Sequence, residues 1–407
     1  TVTPTPSETP SASETVTPTP TPSIDPYEQL NNVANTGDWK DIVTVVLYGI
    51  DYAPERTSGS YKRQNKHFYT DVVMVMAVNF KKNKVDLISI PRDSWTEMPN
   101  KKGIYRIKEA FYFGGGIDKP EKGLDYSVKA VSWQLGGLPI NGYIAVTMPV
   151  VKELVDIFGG VDYNVEQTIK INGRTLKKGQ QHLNGQQALD YFRARKSENV
   201  SGGTGDINRV NRQKDLLVAI FKKLKTTQML SKIPEILKSM EGKLFTNLSF
   251  EQLAALAVFG SKLDEDSNIK LHTFEGNLAS MFNWSFCFPN QDNRVDIIKE
   301  VYGKTVKKHN DYTYSAGQNL WYSMQAKVWV SRVKAVLKKD DALVPPKLLP
   351  EERTELQTLL DATTAALSSD NTSDIKKSKD ALKKRATALF KTYKYKISWS
   401  VDENATS

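Results

Sequence analysis

Ile42-Val43-Thr44-Val45-Val46-Leu47-Tyr48-Gly49-Ile50-Asp51 is the stretch that decides the fold. It is a nearly unbroken apolar run that ends on a carboxylate. It falls far short of the roughly 20 apolar residues that cross a bilayer, and it lacks the alternation of a strand with one wet face. It therefore predicts a central β-strand covered on both sides, with Asp51 at its exit. Val72 to Val78 has the same character, Asn79 to Lys84 is a polar turn, and Val85 to Ile90 is a further strand that Pro91 stops.

Working outward, Ser127 to Leu135 and Pro149 to Phe158 read as helices, the second ended by Gly159-Gly160. Asn184 and Gln187 have capping-box spacing before Ala188, Leu189 and Phe192. A longer helix is expected from about Ile207 to Leu224, capped by Asp206, then a helix over Phe250 to Phe259 and a strand over Ile269 to Phe274. Beyond Lys304 the pattern becomes helical throughout: Gln318 to Leu337, Glu351 to Leu367 and Thr372 to Phe390, with Pro345, Pro346 and Pro350 dividing the first from the rest. The expected organisation is a linker over residues 1–37, a mixed α/β body over 38–305 and a helical extension over 306–407.

The first 26 residues hold eight Thr, seven Pro and four Ser and read as an extended solvated spacer. A spacer at the start of a chain without an initial Met suggests a processed product, set off from an upstream membrane anchor. The single cysteine, Cys287, excludes an internal disulfide framework and a cysteine-rich zinc site. Net charge is +10 overall and −3 in those first 26 residues, leaving +13 for the rest. Residues 311–407 carry 16 basic and 12 acidic side chains, so most of the excess lies in the α/β body. An anionic partner follows from this, but charge alone does not choose among nucleic acid, lipid, phosphorylated metabolite and cell-wall polymer. No nucleic-acid-binding module and no basic-aromatic series is present, which argues against nucleic acid.

The densest chemistry lies between Phe192 and Gln213: Arg193, Arg195, Lys196, Asp206, Arg209, Arg212 and Gln213. Arg209 and Arg212 share a helical face, Asp206 can orient one of them, and Arg193 and Arg195 point the same way if the chain between them is extended. Two guanidinium forks suit phosphate oxygens, and a salt-bridged solvent face is the plainer alternative. Asp51 and Asp71 stand at strand ends; with a bound phosphate they suit Mg²⁺, and ordinary strand capping explains them equally. Ser89-Ile90-Pro91-Arg92-Asp93 offers either an anion contact at Arg92 or a local ion pair with Asp93. Arg106, Lys108 and the glycines Gly114 to Gly116 follow as a basic, flexible segment able to admit a phosphate.

In order and spacing these segments resemble the LytR-CpsA-Psr family of cell-envelope phosphotransferases, over about Ile42 to Tyr302. The resemblance rests on Gly49-Ile50-Asp51, Thr70-Asp71, Leu87 to Asp93, Arg106-Ile107-Lys108 with Gly114-Gly115, Phe158 to Val165, Gly179 to Leu189, Tyr191 to Lys196 and Asp206 through Gln213. It implies a three-layer α/β/α domain with a central mixed sheet, here with a C-terminal helical extension. It also implies an apolar tunnel for a polyprenyl tail, a basic mouth for the pyrophosphate, and Mg²⁺-assisted transfer of a glycopolymer from a polyprenyl pyrophosphate carrier to a peptidoglycan hydroxyl. On that reading Asp51 and Asp71 hold the metal. Arg92, Arg195, Asp206, Arg209 and Arg212 are catalytic, and Arg106, Lys108, Arg193 and Gln213 bind substrate. The setting it implies is the outer face of a Gram-positive cell, reached through the upstream anchor.

Three departures bear on the substrate. Tyr69 stands two positions before Asp71, where the family usually has Arg. Arg106-Ile107-Lys108 replaces a Lys and an Asn, changing hydrogen-bond geometry while keeping positive charge. Ile207-Asn208 replaces an aromatic residue and a Gly before Arg209. Two other functions fit the same residues: a pyrophosphatase that delivers water instead of a sugar hydroxyl, and a noncatalytic binder of anionic polymers.

Overall fold

The strand expected at Ile42–Ile50, β1, is the centre of a six-stranded sheet. The computed structural model describes residues 34–36, 39, 41–52, 67–166, 168–171, 173–194, 215–216, 219–220, 223, 236, 240, 243–264, 268–281, 284–369 and 371–395. Most of the expected linker over residues 1–37 and most of the expected Ile207 to Leu224 helix lie outside them.

After β1 come β2 (Thr70–Asn79), β3 (Lys84–Ser89), the hairpin β4 (Trp95–Met98) and β5 (Lys101–Arg106), α1 (Glu109–Gly114), α2 (Pro120–Gln134), β6 (Gly142–Thr147) and α3 (Met148–Ile157). Then follow β7 (Val161–Val165), β8 (Ile169–Ile171), β9 (Arg174–Leu176), β10 (Gly179–Leu183) and α4 (Gly185–Arg193). The body continues with β11 (Leu244–Thr246), α5 (Phe250–Ser261), β12 (Ile269–Thr273), the hairpin β13 (Gly276–Met281) and β14 (Trp284–Pro289), and α6 (Gln291–Tyr302). The last helices are α7 (Tyr314–Asp341), α8 (Pro350–Ser369) and α9 (Thr372–Thr392).

The sheet order is β11-β6-β1-β2-β3-β12, with β1/β6 and β3/β12 parallel and the other neighbours antiparallel. This is the mixed central sheet of an α/β/α sandwich. One face, through Val46, Tyr48, Val73, Val75 and Ala145, packs on Phe111 of α1, Leu124 and Val131 of α2 and Ile298 of α6. The other face, through Leu47, Met74, Met76, Ile144 and Leu87, meets α5 and Leu154 of α3. Both faces of β1 are covered, so its sequence has no polar alternation.

The C-terminal helices form their own core around Trp329, Val333, Leu356, Leu382 and Phe390. They dock on the body through the start of α7: Trp321 and Met324 pack with Trp95, Phe286 and Phe288. Gly317 lies so close to Phe288 that a Cβ there would stand 2.2 Å from the ring. No helix among the described residues is long and apolar enough to cross a membrane.

Candidate active site

Topology gathers the chemistry at one end of the sheet. The register Ile50↔Thr70 and Met74↔Ser89 sets the exits of β1 and β3 beside the entry of β2. The parallel partners β6 and β12 finish at the same end, Thr147 opposite Ile50 and Thr273 opposite Ser89. Gly49 pairs with Val72 but Ile50 pairs with Thr70, so Asp71 is the extra residue of a β-bulge. A bulge re-aims a side chain at a sheet end. Gly49 supports the close pairing there: a Cβ on it would lie 3.0 Å from the Val72 side chain.

Asp51 is 5% exposed. Its amide donates to the Tyr69 carbonyl at 3.0 Å, and its Oδ1 accepts from the Tyr69 amide at 2.7 Å. Asp71 Oδ1 accepts from Arg92 Nη1 at 2.7 Å. Pro91 begins the turn that carries Arg92, closed by the Ser94 amide on the Pro91 carbonyl at 2.9 Å. Arg92 thus reaches back to the bulged carboxylate on β2, while its Nε lies 3.5 Å from Asp93 Oδ2.

Asp93 is the hub. Lys108 Nζ lies 2.5 Å from its Oδ1, and Arg106 Nη1 is 4.0 Å from the same oxygen. The Lys108 backbone is fixed on both sides, by its amide on the Arg92 carbonyl at 3.1 Å and by the Thr70 amide on its own carbonyl at 3.4 Å. Burial holds the Lys108 ammonium below its ordinary pKa; Asp93 opposes that fall, and the charges of Arg106 and Arg92 add to it. Arg106 faces protein: it is ion-paired with Glu109, and its guanidinium carbon stands 4.5 Å over the Trp284 ring. Asp93 also binds the hairpin, its carbonyl accepting from the Cys287 amide at 2.8 Å.

Of the sequence-predicted site residues, Asp51, Asp71, Arg92, Arg106 and Lys108 meet at this end. Arg193 ends α4, whose start carries the expected capping box: the Gln187 amide donates to Asn184 Oδ1 and the Asn184 amide to Gln187 Oε1. The Arg193 side chain, Arg195, Asp206, Arg209, Arg212 and Gln213 lie outside the described residues. The described cluster pairs three cations (Arg92, Arg106 and Lys108) with four carboxylates (Asp51, Asp71, Asp93 and Glu109), so it is not basic by itself. The sequence shows Asp93 only as a partner for Arg92; Glu109 is legible only as a local i,i+3 partner of Arg106, and Trp284 has no sequence signal because the β13/β14 hairpin brings it there.

The glycines are a correction. Gly114 ends α1 against α2, where a Cβ would lie 2.5 Å from the Tyr126 Cβ and 2.7 Å from the Lys122 carbonyl. Gly115, at φ 132°, caps the helix by donating to the Tyr112 carbonyl. Gly114-Gly115 is a tight helix junction, not an open loop that admits phosphate.

On the face opposite α1 and α2 lies a chamber of about 320 Å³ between the sheet, α5 and α3, lined by aliphatic and aromatic side chains, methionines and one glycine. Its walls include Leu47 and Met74, four and three residues along the same strands from Asp51 and Asp71. At about 3.4 Å per residue, the chamber begins roughly 10 Å from the charged end.

The sequence profile described as the LytR_cpsA_psr family matches residues 10–303. The polyisoprenyl-teichoic acid–peptidoglycan teichoic acid transferase TagU of Bacillus mycoides is 35% identical over 211 residues, 52% of this chain and 62% of that protein. The protein of the same name from Bacillus subtilis is 29% identical over 265 residues, 64% of this chain and 78% of the relative. The first of these alignments therefore spans less than two thirds of the relative's own length. Among solved structures, B. subtilis TagV superposes with a TM-score of 0.53 at 23% identity, covering 65% of this chain and 97% of that one, a likeness of fold.

Proposed function

This chain belongs to the LytR-CpsA-Psr family, and from that premise we propose that it transfers a teichoic-acid-class glycopolymer from a polyprenyl pyrophosphate carrier to a peptidoglycan hydroxyl. The observation that carries the reading is the pairing, on the same strands, of an apolar chamber with an end that holds Asp51, Asp71, Arg92 and Lys108. A molecule that needs both is an amphiphile with an ionic head, and a lipid pyrophosphate is one. The Bacillus relatives are named as transferases between polyisoprenyl-teichoic acid and peptidoglycan, which supports a lipid-linked donor and a peptidoglycan acceptor.

In this reading an acceptor oxygen attacks phosphorus, a new P–O bond forms, and the bridging bond breaks with its electron pair leaving on the polyprenyl phosphate. Positioning and charge neutralisation do most of the work. Arg92, oriented by Asp71, stands where it can hold a phosphate oxygen, and Lys108 adds a cation whose position Asp93 fixes. Arg193, Arg195, Arg209 and Arg212 supply the remaining positive charge, and Asp206 orients an arginine or takes the acceptor proton. Asp51, after the exit of β1, and Asp71, in the bulge of β2, lie at the same sheet end and are the residues that would hold Mg²⁺, a hard cation that takes oxygen donors and would neutralise pyrophosphate charge. Such a reaction belongs at the outer face of the envelope, where the spacer over residues 1–37 would set the body off from an anchor.

The test is a reaction of purified protein with a lipid-pyrophosphate-linked teichoic acid precursor and a defined peptidoglycan, with and without Mg²⁺, analysed for a covalent polymer-to-glycan bond. That product is expected. Release of phosphorylated lipid without a new bond supports the pyrophosphatase reading, and salt-sensitive binding without turnover supports a noncatalytic binder.

A further inference from the structure

Tyr69, Tyr112 and His67 form an aromatic group beside the charged end that the proposed chemistry does not use. The Tyr112 and His67 ring centroids are 3.9 Å apart, those of Tyr69 and Tyr112 are 6.2 Å apart with the planes at 70°, and those of His67 and Tyr69 are 6.5 Å apart. All three are half-buried. Tyr112 also packs on Phe113, which joins the main core, with ring centroids 5.5 Å apart, so the group sits at the edge of the core beside the charged end.

Its place is specific. The Tyr69 backbone is the double hydrogen-bond partner of Asp51, and the Lys108 ammonium lies 5.9 Å from the centre of its ring. Tyr112 sits on α1, one turn after Glu109, the residue that holds Arg106. An aromatic surface beside an ammonium suits a sugar: the C–H face of a pyranose, slightly positive, packs on the negative face of an aromatic ring, while its hydroxyl oxygens accept hydrogen bonds from the cation. A guanidinium at position 69 would instead present donors to phosphate.

We propose that Tyr69, Tyr112 and His67 form a saccharide subsite that packs on the sugar ring attached to the donor's pyrophosphate. This rests on the donor reading given above. Tyr69 is then a determinant of which sugar is accepted, and phosphate recognition is left to the cations.

The test is equilibrium binding to the intact chain of two probes, a short-chain polyprenyl pyrophosphate carrying one N-acetylhexosamine and the same lipid pyrophosphate without a sugar. Tyr69→Ala and Tyr112→Ala should each weaken the sugar-bearing probe about tenfold, the order of one lost stacking partner, and change the bare probe less than twofold. Tyr69→Phe and Tyr112→Phe, which keep the rings, should retain the preference and guard against loss of fold. In turnover, the alanine variants should raise KM for the natural donor more than they lower kcat. Equal weakening of both probes, or a sugar preference that survives both alanine variants, overturns the subsite alone. Wild-type protein that binds neither probe overturns the donor reading, and the subsite with it.

Discussion

Replacing Arg294 with Met should lower stability by about 3 kcal/mol, on the following physical grounds. Arg294 is 0% exposed. Its Nε donates to Gln291 Oε1 at 2.9 Å, its Nη1 to the Gln134 carbonyl at 2.7 Å, and its Nη2 to the Lys307 carbonyl. It thus satisfies the last carbonyl of α2, which has no intrahelical partner, and ties α6 to the segment that leads to the C-terminal helices. Burial lowers its pKa to about 10, a penalty on the charged form of roughly 3 kcal/mol at about 1.4 kcal/mol per pH unit. Three hydrogen bonds from a charged group contribute about 1.5–3 kcal/mol each, so the bonds exceed the penalty by a few kcal/mol. At roughly 2–4 °C per kcal/mol for a body of this size, Tm should fall by about 6–12 °C. Calorimetry measures that, and NMR titration of His309 gives a second reading. Burial first, and then the Arg294 charge, hold His309 below its ordinary pKa while it stacks on Trp133. With Met at 294 that pKa should rise. A Tm unchanged or raised would mean that the burial penalty outweighs the hydrogen bonds, and would refute the reasoning.

Gly317→Ala in α7 should lower Tm; in an exposed helix interior it would stabilise by about 1 kcal/mol, but here the new methyl meets Phe288, and a gain in Tm would mean that α7 does not dock as described. Asp86 is held by His272 at 2.8 Å and Lys84 at 2.9 Å; burial pushes its carboxyl up, but those hydrogen bonds and charges outweigh it and keep its pKa below the ordinary value. The stability it contributes is therefore present above the unfolded pKa of about 4 and lost as pH falls through the depressed folded value, so Asp86→Asn should flatten the acid limb of a stability-versus-pH curve. Ala257→Trp, on the wall of the chamber, should leave the far-ultraviolet signature of the fold in place and cut turnover of the lipid-linked donor at least tenfold; undiminished use of a long-chain donor would dissociate the chamber from the lipid.

What was legible in the sequence was whatever is encoded locally. The apolar run before Asp51 announced a central strand, and Asn184 with Gln187 announced the start of α4, because a cap is satisfied within four residues. The hub role of Asp93 was hidden because its partners come from Arg106 at the end of β5, from Lys108 just before α1, and from β14, nearly 200 residues away. The bulge at Asp71 was hidden for a related reason: it is a property of the register between β1 and β2, not of either strand. Gly114-Gly115 misled because the same residues serve an open phosphate loop and a tight junction, and only the nearness of Tyr126 and Lys122 on α2 decides between them.

The most consequential ambiguity concerns β2. Val73, Val75 and Ala77 enter a packed helical core, while Met74, Met76 and Val78 face the chamber, yet both sets are apolar and the sequence reads as one strand buried on two sides. Composition gives a partial distinction: the chamber side has adaptable methionines, opposed on α5 by Ala257 and Gly260 among the larger Leu253, Leu256 and Phe259. The chamber, about 320 Å³, has room for part of an apolar chain. An apolar tail that fills it stabilises the fold as it binds, so donor occupancy and thermal stability should rise together, with the longer-chain lipids giving the larger shift in Tm.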